Sequence, residues 1–356
     1  MRISTCILAA ATLLLSSATQ PFAQTPQLDS LDPGGVSADF ARAAEAYRDG
    51  RYAEARALLD ASAALGDADS QNLLGHLHAS GLGGPVDMAE AVRLFHAAAV
   101  QGQLDAQYAL GVLALDGEAV AQDSARAAEW FSLAADGGHP PAQLELGLLY
   151  LEGDGVERDE DRAFELFKQA AEQGLAEAQH NVAVAYLVGS GRAIDHREAA
   201  LWFEKAALQG HPDAQYNFAL LNYAGQGVTQ NLAAAAIWMR RAATAGVAEA
   251  MTAMGLLATK GEGMARDEAA AAEWFARGAR AGDGEGQYLY AVVLAQGKGV
   301  ERDFVAAYEW AERAIAAAGL DPAAQAERAA LRDALAEELT ADERALAEAR
   351  AREPLL

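Results

Sequence analysis

Apolar positions in this chain recur three and four residues apart in short runs, and each run is broken by glycine. That spacing lays them along one stripe of a helix, so the pattern predicts a succession of short amphipathic helices. The runs come in pairs, and the pairs repeat: Gln71, Gln107, Gln143 and Gln179 stand 36 residues apart. Ala142-Gln143 has counterparts at Ser70-Gln71, Ala106-Gln107, Ala178-Gln179, Ala214-Gln215, Ala250-Met251 and Gly286-Gln287, with no insertion between them. A period of this size marks a repeat array instead of a single enclosed core.

Each unit opens on glycine (Gly66, Gly102, Gly138 and their later counterparts), followed by turn residues and an apolar run that starts the first helix. Pro140, Pro141 and Pro212 fit the first turn, where a missing N–H has no partner to lose. Within that helix a small residue returns at one phase: Gly75, Gly111, Gly147, Ala183, Ala219, Gly255 and Ala291. Glycine costs about 1 kcal/mol against alanine in a helix, so its return implies an approach too close for a side chain. A glycine loop then ends the helix. Asp87, Asp123, Asp159, Asp195, Asn231, Asp267 and Asp303 follow as expected N-caps of the second helix. That helix carries a bulky pair such as Trp130-Phe131 or Trp202-Phe203 and then alanines, large against small, as stacked helix pairs interdigitate.

The run G-x-G-V-x-x-D-x-x-x-A-x-x-W-F-x-x-A-A-x-x-G-x-x-x-A-Q-x-x-L-G resembles the Sel1-like repeat, a relative of the tetratricopeptide repeat, over residues 66–317. The resemblance implies an all-α solenoid of seven helix-loop-helix repeats and a role as a non-enzymatic adaptor for a protein partner. Departures fall at the first loop, GLGG, and at Ala119, Ala193, Met251 and Ala311.

Outside the array, residues 39–65 read as an N-terminal capping helix pair and 318–356 as C-terminal capping helices. There Asp321-Pro322 starts one helix and Thr340 with Glu343 makes a capping box for the next. A tail that docks elsewhere is the second reading of these last helices. Residues 1–23 have Arg2, an apolar stretch and small residues up to Ala23, the pattern of a cleaved secretory signal too short to span a bilayer. Residues 24–38 follow as a linker. The expected destination is a periplasm or the exterior.

The single cysteine, Cys6, leaves with that signal, so the mature chain has no disulfide, thiol nucleophile or thiolate metal site. The net charge of −24 argues against nucleic acid and anionic membrane surfaces as partners.

No catalytic or metal constellation stands out, and no cofactor is expected. His76 and His78 are two apart and face different ways on a helix. His96, His139, His180, His196 and His211 read as scattered over the repeat phases. Gly189-Ser190-Gly191 lacks the full nucleophile elbow, and the acids of residues 153–162 lack the alternation of a calcium loop.

In the tetratricopeptide relatives the first helix of each unit lines the inner, concave curve. One phase there holds Tyr108, His180, Tyr216 and Tyr288, a later one Tyr223, and an acidic one at the helix start Asp105, Glu177 and Asp213. Together they form an aromatic trough edged by carboxylates, suited to a protein or peptide with apolar anchors and basic flanks. The competing reading makes the acids complements of the helix dipole and the aromatics packing between helices. An alternative from another class is an envelope-glycan (peptidoglycan) binding or hydrolysing protein using Glu145 near Glu177 as acid and base, although the sequence marks neither with a raised pKa.

Overall fold

The computed structural model of the chain describes residues 38–117, 119–317 and 321–355. The predicted signal segment and nearly all of the linker behind it lie outside the described residues. Among those residues the backbone forms eighteen helices and no strand. They divide into two compact units, 38–194 and 195–355.

In the first unit α1 (Ala38–Arg48) and α2 (Tyr52–Ala64) precede α3 (Ala68–Ser80), α4 (Met88–Ala99), α5 (Leu104–Asp116), α6 (Ser124–Asp136), α7 (Pro140–Glu152), α8 (Glu160–Glu172) and α9 (Ala176–Val188). The second unit runs through α10 (His196–Leu208), α11 (Pro212–Ala224), α12 (Leu232–Thr244), α13 (Ala248–Lys260), α14 (Glu268–Arg280), α15 (Gly284–Gln296) and α16 (Phe304–Ala316) to α17 (Pro322–Glu337) and α18 (Ala341–Ala351). From α3 onward, odd numbers up to α15 are first helices of a repeat and even numbers up to α16 are second helices.

All seven predicted second-helix caps form. Asp123 accepts from the Arg126 N–H at 3.0 Å, Asn231 from Ala234 at 3.0 Å, and the other five carboxylates do the same. Each such cap contributes about 1 kcal/mol. The first helices end on a left-handed glycine, as at Gly153 with φ 75°.

The returning glycine has a specific reason. A Cβ on Gly111 would stand 2.4 Å from the ring of Phe131, and one on Gly147 would stand 2.6 Å from Phe167. The glycine is therefore the seat of the second-helix phenylalanine, which is buried at 0% exposure in the case of Phe131. The second loop glycine meets backbone instead: a Cβ on Gly155 would lie 2.3 Å from the Ser124 carbonyl carbon at the start of α6.

The repeated glutamine has a duty that its spacing alone does not disclose. Gln71, Gln107, Gln143, Gln179, Gln215 and Gln287 each donate from Nε2 to the carbonyl eight residues back, so each ties a first helix to the end of the second helix before it. Met251 takes this place once and forfeits the bond.

At the N-terminal end α1 and α2 bury Phe40, Ala43 and Leu59 against Leu73, Leu74 and Leu77. At the other end Ala291 and Ala311, the smallest of the glycine–phenylalanine counterparts, share a cluster with Leu335, Leu339 and Ala347, so α17 and α18 supply the apolar bulk that the seventh repeat lacks. Arg328 of α17 is 5% exposed and satisfied by the Ala314 carbonyl at 2.7 Å and Glu285 at 3.2 Å. Both halves of the Thr340–Glu343 capping box are present.

Candidate functional site

The first helices α5, α7 and α9 carry the densest group of perturbed side chains in the first unit. Tyr108, on α5, is partly buried, with its ring 5.7 Å from Phe131 and 5.0 Å from His139. Burial pushes its phenol pKa well above the ordinary value, and the charges of Glu145, Glu177 and Asp116 push it in the same direction. Glu145, on α7, is raised to about 7, first by burial and then by Glu177 and Asp116. Burial also raises Glu177, in the first turn of α9. Among the described residues the charges that shift Tyr108 and Glu145 are all negative. A carboxyl held near neutrality in this way is stabilised by whatever brings it a cation.

Beside Tyr108 lies a polar chain at the helix starts. Gln103 Nε2 donates to Asp105 at 3.2 Å, and Asp105 Oδ1 lies 3.1 Å from His139 Nε2. His139 Nδ1 accepts from the Ala142 N–H as the N-cap of α7, which assigns the proton to Nε2 and makes it the donor to Asp105. Burial raises the Asp105 carboxyl, but the hydrogen bonds from His139 and Gln103 help to outweigh it and hold it below the usual range.

His211 caps α11 in the same manner, accepting from Ala214. His139 and His211 are therefore not scattered: they occupy one repeat phase two periods apart and do one structural job. Burial lowers His211, with Asp213 opposing. His76 lies 5.0 Å from Phe95, edge-on, and burial depresses it to about 4.

The predicted contact residues thus separate. Tyr108, Glu177 and the carboxyl network through Asp105 form one neighbourhood, while partly buried His180 has its Nδ1 3.4 Å from Asn181 Oδ1. Tyr216 belongs to the second unit and is 7% exposed among Leu220, Met251 and Met254, so its ring packs between first helices. Asp213 sits at the start of that helix, next to the His211 cap. The Tyr223 hydroxyl donates to Glu262 at 2.6 Å and the Tyr288 hydroxyl to Glu327 at 3.0 Å. Burial and then those bonds raise both phenols to about 12.

Sequence reasoning named Glu145 without finding its raised pKa, and it missed Asp116. One signal was available. At the phase of Glu145 the other repeats carry Leu73, Ala109, Asn181, Asn217, Ala253 and Leu289, so Glu145 is the one charged residue there.

Among the described residues no group of three or more His, Cys, Asp or Glu is placed to hold a metal ion, and no helix is long and apolar enough to cross a membrane. The Sel1 repeat family model matches seven consecutive segments, 68–103, 104–139, 140–175, 176–211, 212–247, 248–283 and 284–318. Among solved structures, a Sel1 repeat protein from Oxalobacter formigenes is 32% identical over 82% of this chain and 86% of its own length, with a TM-score of 0.63. The protective antigen c5321 of uropathogenic Escherichia coli, displaying an SLR fold, is 26% identical over 88% of this chain and 82% of its own, with a TM-score of 0.42. No curated protein matches the chain.

Proposed function

Because the chain belongs to the Sel1 repeat family, a fold that generally serves as a protein-interaction scaffold, we propose that it is a non-enzymatic adaptor holding a protein partner against the first helices α5, α7 and α9. The observation that carries this reading is the group of carboxylates near Tyr108: burial raises both Glu145 and Glu177, and the charges of Glu177 and Asp116 act on Glu145 and on the Tyr108 phenol. A lysine or arginine of the partner, entering beside the Tyr108 ring, relieves the Glu145–Glu177–Asp116 repulsion, and an apolar neighbour extends the contact along the aromatic edge. His180, at the phase of Tyr108 two repeats on, supplies the adjacent polar contact. We further propose that residues 1–23 are removed as a secretory signal and that the adaptor works in the periplasm, in envelope signalling or exopolysaccharide and cell-envelope regulation.

The test is photo-crosslinking in the native cells from a benzophenone amino acid at position 108, with Glu129 on α6 as the control. A discrete adduct from 108 that disappears in the Glu145→Gln/Glu177→Gln variant supports the reading; equal labelling from 129, or an adduct indifferent to the two carboxyls, counts against it. Amino-terminal sequencing of the mature chain tests the leader, with Gln24 expected first.

One observation favours a second reading. Glu145, raised to about 7 next to the Glu177 charge, has the protonation state of a general acid at neutral pH, as hydrolysis of an envelope glycan requires. Release of muropeptides by the wild-type chain and its loss in Glu145→Gln would establish that reading. Intact glycan in both would end it.

A further inference from the structure

The repeats act as an internal comparison, and on the second helices it isolates one patch. At the phase of Leu201 the chain carries Arg93, Glu129, Glu165, Leu201, Ile237, Glu273 and Glu309. Charge gives way to an aliphatic side chain in two adjacent repeats, and there the side chains are exposed, Leu201 by 44% and Ile237 by 57%. Four residues further along the same helix face the first three repeats have Ala97, Leu133 and Gln169, whereas the last four have Lys205, Arg241, Arg277 and Arg313.

Each of those four cations lies over the tryptophan three residues before it. Lys205 Nζ is 3.6 Å from the Trp202 ring centre, Arg241 and Arg277 are 4.3 Å from Trp238 and Trp274, and Arg313 is 5.5 Å from Trp310. The ring holds the cation close against the helix, and a stacked guanidinium keeps its in-plane N–H groups free of the ring face.

The fourth copy shows what such a pair receives. Arg313 donates to the Glu353 carbonyl at 2.8 Å and to the Arg350 carbonyl, both at the C-terminal end of α18, while Tyr308 donates to Glu348 at 3.5 Å and Ala347 is fully buried. A short amphipathic helix thus covers this face of α16, and Glu309 and Arg313 fall to 16% and 12% side-chain exposure. Among the described residues no helix covers the other three copies in this way, and Lys205 and Arg241 are exposed there. In a chain with 51 acidic and 27 basic residues, Lys205, Arg241 and Arg277 take part in no ion pair among the described residues.

We propose that the outer face of α10, α12 and α14, with Lys205, Arg241 and Arg277 on their tryptophans and Leu201 and Ile237 beside them, is a docking surface for a short acidic amphipathic helix of a partner protein. The partner helix lies as α18 lies on α16, its carboxylates and terminal carbonyls on the three cations and its aliphatic side chains on Leu201 and Ile237. This surface is separate from the Tyr108 site and carries the opposite charge, so an adaptor using both grips two partners of unlike chemistry.

The test is a titration of the full chain with a fluorescent peptide of about sixteen residues built from Glu, Ala and Leu on an amphipathic helical pattern. It is repeated with Gln for every Glu and with Ser for every Leu. Binding by the first peptide is expected, with the dissociation constant weakened at least about tenfold in Lys205→Glu/Arg241→Glu/Arg277→Glu and in Leu201→Ser/Ile237→Ser. Both sets replace exposed or half-buried side chains, and unchanged circular dichroism and thermal midpoint confirm that the variants fold.

The proposal is overturned if the wild type does not bind the peptide, if either variant binds it equally, or if the Gln or Ser peptide binds as well. It is also overturned if phosphatidylglycerol vesicles or a uronic-acid oligosaccharide bind with the same residue dependence and the peptide does not. Sedimentation showing a wild-type dimer that Leu201→Ser/Ile237→Ser dissociates would assign the face to a second copy instead.

Discussion

The repeats in 104–188 and those in 196–280 build on one framework and expose opposite chemistry. In the first stretch the distinctive charged side chains are on first helices and are acidic: Glu145 and Glu177, both raised by burial, with Asp116 adding its charge near Tyr108. In the second the distinctive charged side chains are on second helices and are cationic, with Lys205, Arg241 and Arg277 stacked on indoles. What stays constant between the two is the machinery that closes the repeat: the Asp or Asn cap, the small residue of the first helix, and, with Met251 the exception, the glutamine bonded eight residues back. The difference teaches that the charge of this chain's repeats is varied at phases the framework leaves free.

The largest test of that shared framework is to remove the same core side chain from both stretches. Phe131→Ala and Phe203→Ala each delete a ring at 0% exposure, and each is expected to lower the unfolding free energy by about 3–5 kcal/mol in urea melts. A loss in one stretch far below that in the other would break the comparison at its base.

Next in size is Glu145→Gln. A carboxyl at about 7 in the folded chain and near 4.5 when unfolded binds its proton more tightly when folded, so stability drains away as pH rises from about 4.5 to about 7. The glutamine variant should therefore match the wild type near pH 4.5 and exceed it above pH 7, by about 3 kcal/mol at most. A gain that is the same at every pH would remove the charge from the explanation.

Two smaller changes sharpen the comparison. Gln143 accepts at Oε1 from Gln173, and Gln71 accepts from Gln101, but the Oε1 atoms of Gln107 and Gln215 have no bonded partner among the described residues, since the corresponding residues are Gly137 and Ala245. Ala245→Gln supplies the donor to Gln215 from an exposed position and should add about 0.5–1.5 kcal/mol in thermal melts. Gly137 is the poorer choice, because a Cβ there would stand 2.3 Å from Leu104. Lys205→Ala should cost only about 0.5–1 kcal/mol, the scale of an exposed cation–aromatic contact. A larger loss would mean that the cation serves the fold and not a partner.

The fold was legible in the sequence because a 36-residue period repeats its own reasons: seven caps, seven small residues and seven loops agree with one another. The site was less so. Tyr216 belongs to the same phase as Tyr108, yet it is enclosed by Met251 and Met254 of the next first helix, while Tyr108 stands beside Glu145. Phase tells which way a side chain leaves its helix; its neighbours one repeat on decide whether it ends as packing or as surface. The hydroxyls of Tyr223 and Tyr288 meet Glu262 and Glu327, both 39 residues ahead, a pairing no single repeat displays. The histidine caps escaped notice for a simpler reason: at their phase His139 and His211 stand among Asp67, Gln103, Leu175, Val247 and Asp283, so no single residue type holds the position.

The most direct test of the central claim, that the first helices around Tyr108 hold carboxyls waiting for a cation, is titration of Glu145 by carbon-13 NMR of glutamate-labelled protein. Glu145→Gln assigns its signal. A midpoint near 7 in the free chain that falls when a lysine-bearing partner peptide is added is the predicted result. A midpoint near 4.5, unmoved by the peptide, would contradict it.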